Sequence, residues 1–270
     1  GIPWRKRRSE LRDAAAPLLT ESRDDGLVPP AYYQARFHAY EKGNLCLQAA
    51  AEAEQATDAM ALRIWPNEQL SPLQAQNRLR DAIHAVVEPL LGDPIEEVLD
   101  LGCSVGISTQ ALARWLNDRA DQRRLKRPRL MGLDLSAEML AVARVRDRNS
   151  LISEWLHAAA EHSALPSDQF DLISLQFVCH ELPQHATRAV VKEAARLLRP
   201  GGVLVMVDQD PDSSVLKSLP AAIATLLKST EPYIEEYFSL DMSATLMQAG
   251  FRDLRITACD PRHRVIACLR

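Results

Sequence analysis

The sequence predicts an α/β fold: a mostly parallel sheet with helices on both faces, ending in an antiparallel strand. Three observations carry this expectation. Between residues 97 and 208, short β-branched and leucine-rich runs alternate with stretches of helical periodicity, the pattern of βαβ units. A small-residue turn, Asp100-Leu101-Gly102-Cys103-Ser104-Val105-Gly106, joins the first of these strands to the helix after it. Near the C-terminus, Arg252–Cys259 and His263–Leu269 are separated only by an Asp260-Pro261 turn, a connection short enough to require antiparallel neighbours.

Composition sets the outer bounds. The 270 residues suffice for one principal core with an appended element. A content of 47% hydrophobic and 25% charged residues is that of a soluble globular protein. The formal net charge of -4 gives no overall basic field, so no nucleic-acid partner is expected. Cys46, Cys103, Cys179, Cys259 and Cys268 include no C-x-x-C pair, so neither a disulfide framework nor a metal site is expected and a reducing compartment follows. No apolar run approaches the roughly 20 residues of a membrane span. The chain opens at Gly1. It reads as a soluble protein of the cytoplasm, or of an organelle interior after removal of a targeting segment.

The elements follow in order. A basic start (Arg5, Lys6, Arg7, Arg8) reads as an arm with a short helix around Leu11–Leu19, ended by Asp24-Asp25-Gly26 and Pro29-Pro30. Alanine-rich sequence from Ala31 to Leu62, interrupted at Gly43-Asn44, predicts two helices. Ser71-Pro72 supplies an N-cap and a first-turn proline for a helix running to about Val87. Residues 1–80 thus form an arm and helical cap, and 81–270 the sheet domain. Within the latter, Glu97–Leu101, Arg129–Asp134, Phe170–Gln176 and Val203–Asp208 read as strands, and Ser108–Leu116, Ala137–Arg146 and His185–Leu198 as helices. The basic run Arg119–Arg129 reads as a solvated connection. A helical insertion occupies about 211–240, and a helix over Ser243–Gln248 stops at Gly250.

The chemistry concentrates at strand tips. Gly102 and Gly106 permit unusual dihedrals and close approach of backbone to a ligand, and the following helix N-terminus offers free N–H groups, so the turn points to a nucleotide-like ligand. Asp134 ends the next strand, where a carboxylate can take paired ribose hydroxyls. The two signals gain weight from lying on successive strands.

With these residues in place, the chain resembles the class I S-adenosylmethionine-dependent methyltransferases, specifically the type 11 group related to quinone-biosynthesis C-methyltransferases. Asp100-x-Gly102-x-Ser104-x-Gly106 is similar to that family's acidic-x-Gly-x-Gly-x-Gly motif, with Ser104 at the middle glycine. Leu197-Leu198-Arg199-Pro200-Gly201-Gly202 resembles its turn before the fifth strand, and Glu231-Pro232-Tyr233 through Gly250-Phe251 its insertion and final helix. The resemblance implies a Rossmann-like, seven-stranded class I methyltransferase sheet with a helical N-terminal cap, and S-adenosyl-L-methionine as cofactor. It implies a cofactor set of Asp100, Gly102, Cys103, Ser104, Gly106, Asp134, Leu135, Ala160, Glu161 and Gln176. An N-terminal lid would bring Tyr33, His38 and Tyr40 toward the acceptor, with Phe177 and Tyr233; core packing is the alternative for each.

Because the methyl on a sulfonium is already activated, the protein's task is to align a nucleophile and, for a hydroxyl or acidic carbon, to supply a base. His180, just past Phe170–Gln176, is the candidate; capping the next helix or bonding Glu181 is the structural alternative. Gln176-Phe177-Val178-Cys179 departs from the Asn/Asp-Pro-Pro-aromatic segment of base-amine methyltransferases. Asp208-Gln209-Asp210 lacks the second carboxylate of a magnesium-dependent site. The expected acceptor is a small organic molecule methylated at oxygen or carbon. The competing readings are a protein or RNA methyltransferase and a non-catalytic cofactor-binding subunit. A dehydrogenase is disfavoured, since the turn does not read G-x-G-x-x-G.

Overall fold

The computed structural model describes residues 3–34 and 40–270. Its centre is a seven-stranded sheet in the order β3-β2-β1-β4-β5-β7-β6. The strands are β1 (Glu97–Leu101), β2 (Arg129–Asp134), β3 (Glu154–His157), β4 (Phe170–Gln176), β5 (Leu198–Gln209), β6 (Arg252–Ala258) and β7 (His263–Leu269). β1 through β5 pair in parallel, and β7 runs antiparallel to both β5 and β6. The sequence identifies six of these strands. It misses β3, a four-residue strand whose Glu-Trp-Leu-His carries neither strict alternation nor an apolar run; pairing with β2 makes it a strand.

The helices are α1 (Pro3–Ala15), α2 (Leu47–Ile64), α3 (Pro72–Val87), α4 (Ile107–Arg123), α5 (Ala137–Arg146), α6 (Gln184–Leu197), α7 (Ser214–Lys217), α8 (Ala221–Thr230), α9 (Ile234–Ser239) and α10 (Met242–Gln248). The Ser71-Pro72 start is a full capping box: Ser71 accepts from the Gln74 amide and Gln74 returns the bond to the Ser71 amide. Where two helices are expected over 31–62, the described residues hold a 3-10 turn at Ala31–Gln34 and one α-helix, α2. The basic start is helical rather than an arm: in α1, Arg7 pairs with Glu54 and Arg8 with Glu52, both on α2. The expected division between 80 and 81 lies inside α3, whose Leu79, Ile83 and Val87 pack on the sheet.

Two apolar layers sandwich the sheet. One contains Leu99, Leu101, Ile173 and Leu175 with Val190, Ala194, Tyr237 and Leu246 from α6, α9 and α10. The other contains Val98, Leu172, Val205 and Val265 with Ile83, Leu112, Leu116 and Leu140 from α3, α4 and α5. A smaller cluster joins α1, α2 and α5 through Leu11, Ala15, Ala50, Met139 and Val142. Strands buried on both faces explain the near-continuous apolar runs of the sequence.

The connection Arg119–Arg129 is not solvated along its length. Arg119 lies inside α4 with 6% of its surface exposed. Its guanidinium donates to Glu88, Asp93 and the Leu91 and Gly92 carbonyls, clamping the loop that precedes β1. Arg119→Ala should lower the unfolding free energy by about 2 kcal/mol, because those carbonyls and half-exposed acids lose their donor. Lys126→Ala, at an exposed position, should change it by less than about 0.5 kcal/mol. Paired urea denaturation curves measure both.

Candidate cofactor and acceptor site

The carboxyl ends of β1, β2, β4 and β5 lie along one edge of the sheet, and Asp100, Asp134 and His180 lie there. Asp100, at the tip of β1, is buried and accepts from Thr109 Oγ1 on α4 at 2.7 Å. Burial lifts its carboxyl to about 6, against the lowering bonds of Thr109 and Ser174 and the charge of Arg80. The turn beyond it is tied to β2: the Gly102 and Cys103 amides donate to the Leu133 carbonyl at 2.8 and 2.9 Å. Ser104 takes a left-handed conformation, φ 50°, uncommon outside glycine, and its amide donates to Asp134 Oδ2 at 2.7 Å. The second Asp134 oxygen accepts from the Ser136 amide at 2.8 Å. Burial raises Asp134 to about 6, while these two amides pull it down.

The turn's glycines meet protein atoms. A Cβ at Gly102, where φ is +70°, would lie 2.5 Å from Val178; one at Gly106, where φ is +76°, would lie 2.5 Å from Trp155. The same indole covers Gly132 of β2. The glycines therefore allow Val178 and Trp155 to seat against the turn.

Leu135 follows Asp134, with its carbonyl bonded to His157 Nε2 at the tip of β3. Ala160 and Glu161 sit beyond β3 in a tight Ala159–His162 bridge, and burial raises the Glu161 carboxyl. Gln176 turns to the α3 face, where its Oε1 accepts from Arg80 Nη1 at 2.7 Å and its amide donates to Ser174. Arg80 is buried, its Nε has no bonding partner among the described residues, and burial draws its guanidinium down to about 10. Sequence reading missed Arg80 because a basic residue on an amphipathic helix reads as part of a solvated face.

Past β4 the chain turns through Phe177, φ 59°, whose amide donates to the Val207 carbonyl at 2.7 Å. This strained residue delivers a 3-10 turn, Cys179–Glu181, onto the end of β5. His180 there is buried; its Nδ1 lies 2.7 Å from Asp208 Oδ1, and its backbone amide reaches Asp208 Oδ2 at 3.2 Å. Its partner is thus Asp208, not Glu181. Burial works against a charged imidazole, but the charge and bond of Asp208 outweigh it, with Glu231 and Glu181 acting in the same sense, and its pKa rises to about 10. In the sequence Asp208 stands out only within Asp208-Gln209-Asp210, weighed there as a magnesium-type segment and not as a partner of His180.

An N-terminal strap crosses this edge. The Asp24 amide donates to His157 Nδ1 and Arg23 pairs with Glu138. Further along, the Asn44 carbonyl accepts from the Ser136 hydroxyl and its side-chain amide donates to Glu181. Burial and the nearby charges of Asp134 and Glu181 raise the Tyr33 pKa well above its usual value. Tyr32 meets His185 and Tyr233 edge to face, and Tyr233 bonds the Tyr32 carbonyl. Other expected lid residues are not brought here. Tyr40 bonds Glu52 and packs with the α1–α2–α5 cluster, Phe177 packs against His263 on the α3 face of the sheet, and His38 lies outside the described residues.

Residues 99–206 match a family described as a methyltransferase domain. A ubiquinone biosynthesis O-methyltransferase of Thiobacillus denitrificans is 31% identical over 205 residues, covering 73% of this chain and 82% of that protein. An uncharacterised methyltransferase of Synechocystis is 28% identical over 169 residues, covering 63% and 73%. Of the corresponding O-methyltransferase from Sodalis glossinidius, 31% identical, the chain spans about half, 53%. Among solved structures, phosphoethanolamine N-methyltransferase 2 of Haemonchus contortus, in complex with S-adenosyl-L-methionine, superposes with a TM-score of 0.53 at 16% identity over 86% of this chain and 61% of that one, a likeness of fold. From the ordered strand-tip motifs, the sheet and these relatives, the chain belongs to the class I S-adenosylmethionine-dependent methyltransferases.

Proposed function

We propose that this methyltransferase acts on a hydroxyl oxygen, or a comparably acidic carbon, of a small organic molecule, with His180 and Asp208 managing the acceptor's proton. The observation that carries the reading is the buried His180–Asp208 pair at the tips of β4 and β5. Several relatives named as ubiquinone biosynthesis O-methyltransferases support an oxygen acceptor, and one named a demethylmenaquinone methyltransferase supports a small organic acceptor.

The strand-tip residues fit the cofactor. Asp134 sits where ribose hydroxyls can share its carboxylate, and its two amide bonds fix the orientation of the oxygens. Leu135, Ala160 and Glu161 fall on the neighbouring tips of β2 and β3, where the adenine would lie. Arg80 has an unpartnered buried Nε beside Asp100 and Gln176, and suits the cofactor's α-carboxylate. Bound S-adenosylmethionine supplies the activated methyl. The chain's contribution is then alignment, exclusion of water and control of one proton.

Since Nδ1 is committed to Asp208, Nε2 is the ring atom that serves the acceptor. With its pKa near 10, His180 carries its proton at neutral pH, and the imidazolium favours an acceptor oxygen in ionised form. As pH rises toward 10 the neutral ring becomes available to take the hydroxyl proton itself. Tyr33 and Tyr233, carried by the strap and by the loop before α9, are the proposed walls of the acceptor site. The strap and α2 serve as its lid.

Two outcomes test this reading. Asp134→Ala should weaken S-adenosylhomocysteine binding by at least about tenfold in titration calorimetry, the loss of a charged hydrogen-bond acceptor; unchanged affinity would remove the ribose assignment. The His180 imidazole should titrate near pH 10 by NMR, and turnover should climb through the same range. In Asp208→Asn, burial is opposed only by the more distant acids, so the titration should move to lower pH. The stability owed to the pair is fully present below about pH 6.5, the unperturbed histidine pKa. It is lost as pH rises through about 10. A His180 that titrates near 6.5 in both proteins would overturn the pairing.

A further inference from the structure

We infer that Tyr237 is a positioning residue for the proton step: from α9 it fixes the end of β5 and, through Gln209, the orientation of Asp208 against His180. This rests on the His180–Asp208 reading above and extends it to a buried residue outside the strand tips.

The end of β5 is where its neighbours run out. β4 pairs with β5 as far as Gln176 opposite Val207, and the Phe177 amide takes the Val207 carbonyl at 2.7 Å before the chain turns away. Asp208 and Gln209 continue past that point with β7 alone beside them among the described strands, opposite Arg264 and His263. Bonding direction alternates along a strand, so Gln209, two residues beyond Val207, faces the side that β4 has left. Its carbonyl there accepts from the Tyr237 hydroxyl at 2.8 Å. The Gln209 amide donates to Asp208 Oδ1 at 2.7 Å, the same oxygen that His180 Nδ1 uses. Gln209 thus carries one backbone bond that orients the carboxylate and one that answers to Tyr237.

A tyrosine suits this place. Its side chain is buried in the same apolar layer as Cys179 and Ile234. α9 lies against the Cys179–Glu181 turn, so the residue that closes the β5 end also backs the turn carrying His180. Burial and the charge of Asp208 hold the phenol pKa well above its ordinary value, against the pull of Arg264, so the hydroxyl keeps its proton and remains a donor. Without it the half-buried Gln209 carbonyl loses its partner, and the strand end is freer to move. The Tyr237 amide also bonds the Tyr233 carbonyl, so the proposed acceptor wall and the support of Asp208 share one helical turn.

Tyr237→Phe keeps the ring and removes the hydroxyl, and NMR titration of His180 in ligand-free protein with isotope-labelled histidine reads the effect. The acids acting on that imidazole are Asp208 on β5, Glu181 on its own turn and Glu231 before α9, with Arg264 opposite Asp208 on β7; the variant keeps them all. The His180 midpoint, about 10 in the wild type, should fall by about one pH unit, because a freer Asp208 holds the proton less firmly. Exchange of the His180 and Gln209 amides, both of which donate to Asp208, should speed up by about tenfold, while the Ser136 amide on Asp134 keeps its rate. In an Asp208→Asn background the same Tyr237→Phe change should move the midpoint by less than about 0.5. A fall smaller than about 0.5 in the single variant overturns the inference. So does an equal rise in exchange at Ser136, the mark of a general loss of stability, or an equal fall with and without the carboxylate. A wild-type His180 that titrates at about 6.5 would instead refute the pair on which the proton reading stands.

Discussion

The site depends on one carboxylate accepting from two turns. Asp134 takes the Ser104 amide from the β1–α4 turn with one oxygen and the Ser136 amide from the β2–α5 turn with the other. Both turns would otherwise leave buried amides without partners, at a cost comparable to a lost hydrogen bond for each. The arrangement fixes the left-handed Ser104 and starts α5 through the Ser136 cap. The carboxylate orientation on which a ribose would depend is therefore built into the fold before any ligand arrives. The same burial that enforces the geometry lifts the Asp134 pKa, so some stability is given up for a preset acceptor.

Around this point the glycines also make room for packing. Trp155 from β3 lies over Gly106 and Gly132, and Val178 lies over Gly102. The missing Cβ atoms leave room for these two side chains against the turn. Phe177 adds a second strained residue at the end of β4, and its direction of exit is what brings His180 against Asp208. Ser104 and Phe177 are two of seven non-glycine residues with positive φ among the described residues; Arg124, Ser150, Ala164, Asp168 and Asp253 take the same conformation elsewhere.

The polar groups divide by sheet face. On the α3 side, Arg80, Gln176, Ser174, Asp100 and Thr109 form a buried network in which a cation stands beside a carboxyl lifted by burial. At the tips of β4 and β5, His180 and Asp208 form a pair whose Coulombic attraction exceeds the desolvation of the imidazole. The strap instead joins the tips of β2 and β3 to the segment after β4, through Asp24 on His157, Arg23 on Glu138, Asn44 on Ser136 and Glu181, and the Tyr32 ring contacts.

The alternation of runs, the Asp100–Gly106 turn and the short Asp260-Pro261 connection were enough for six strands, their order of appearance and the antiparallel end, because each signal is local: periodicity, a turn residue or a loop length. The acids and glycines at the tips of β1 and β2 were legible for the same reason, as was His180 as a residue of interest. Its partner was not, since Asp208 lies 28 residues away and only β4–β5 pairing brings them together. Arg80, buried Arg119, the strand β3 and the span of Asn44 were equally hidden. Sequence periodicity determines which face of an element is apolar; burial of a charge, the partner it finds and the direction of a strained turn are decided only when distant segments pack, because those energies depend on neighbours the local chain does not contain.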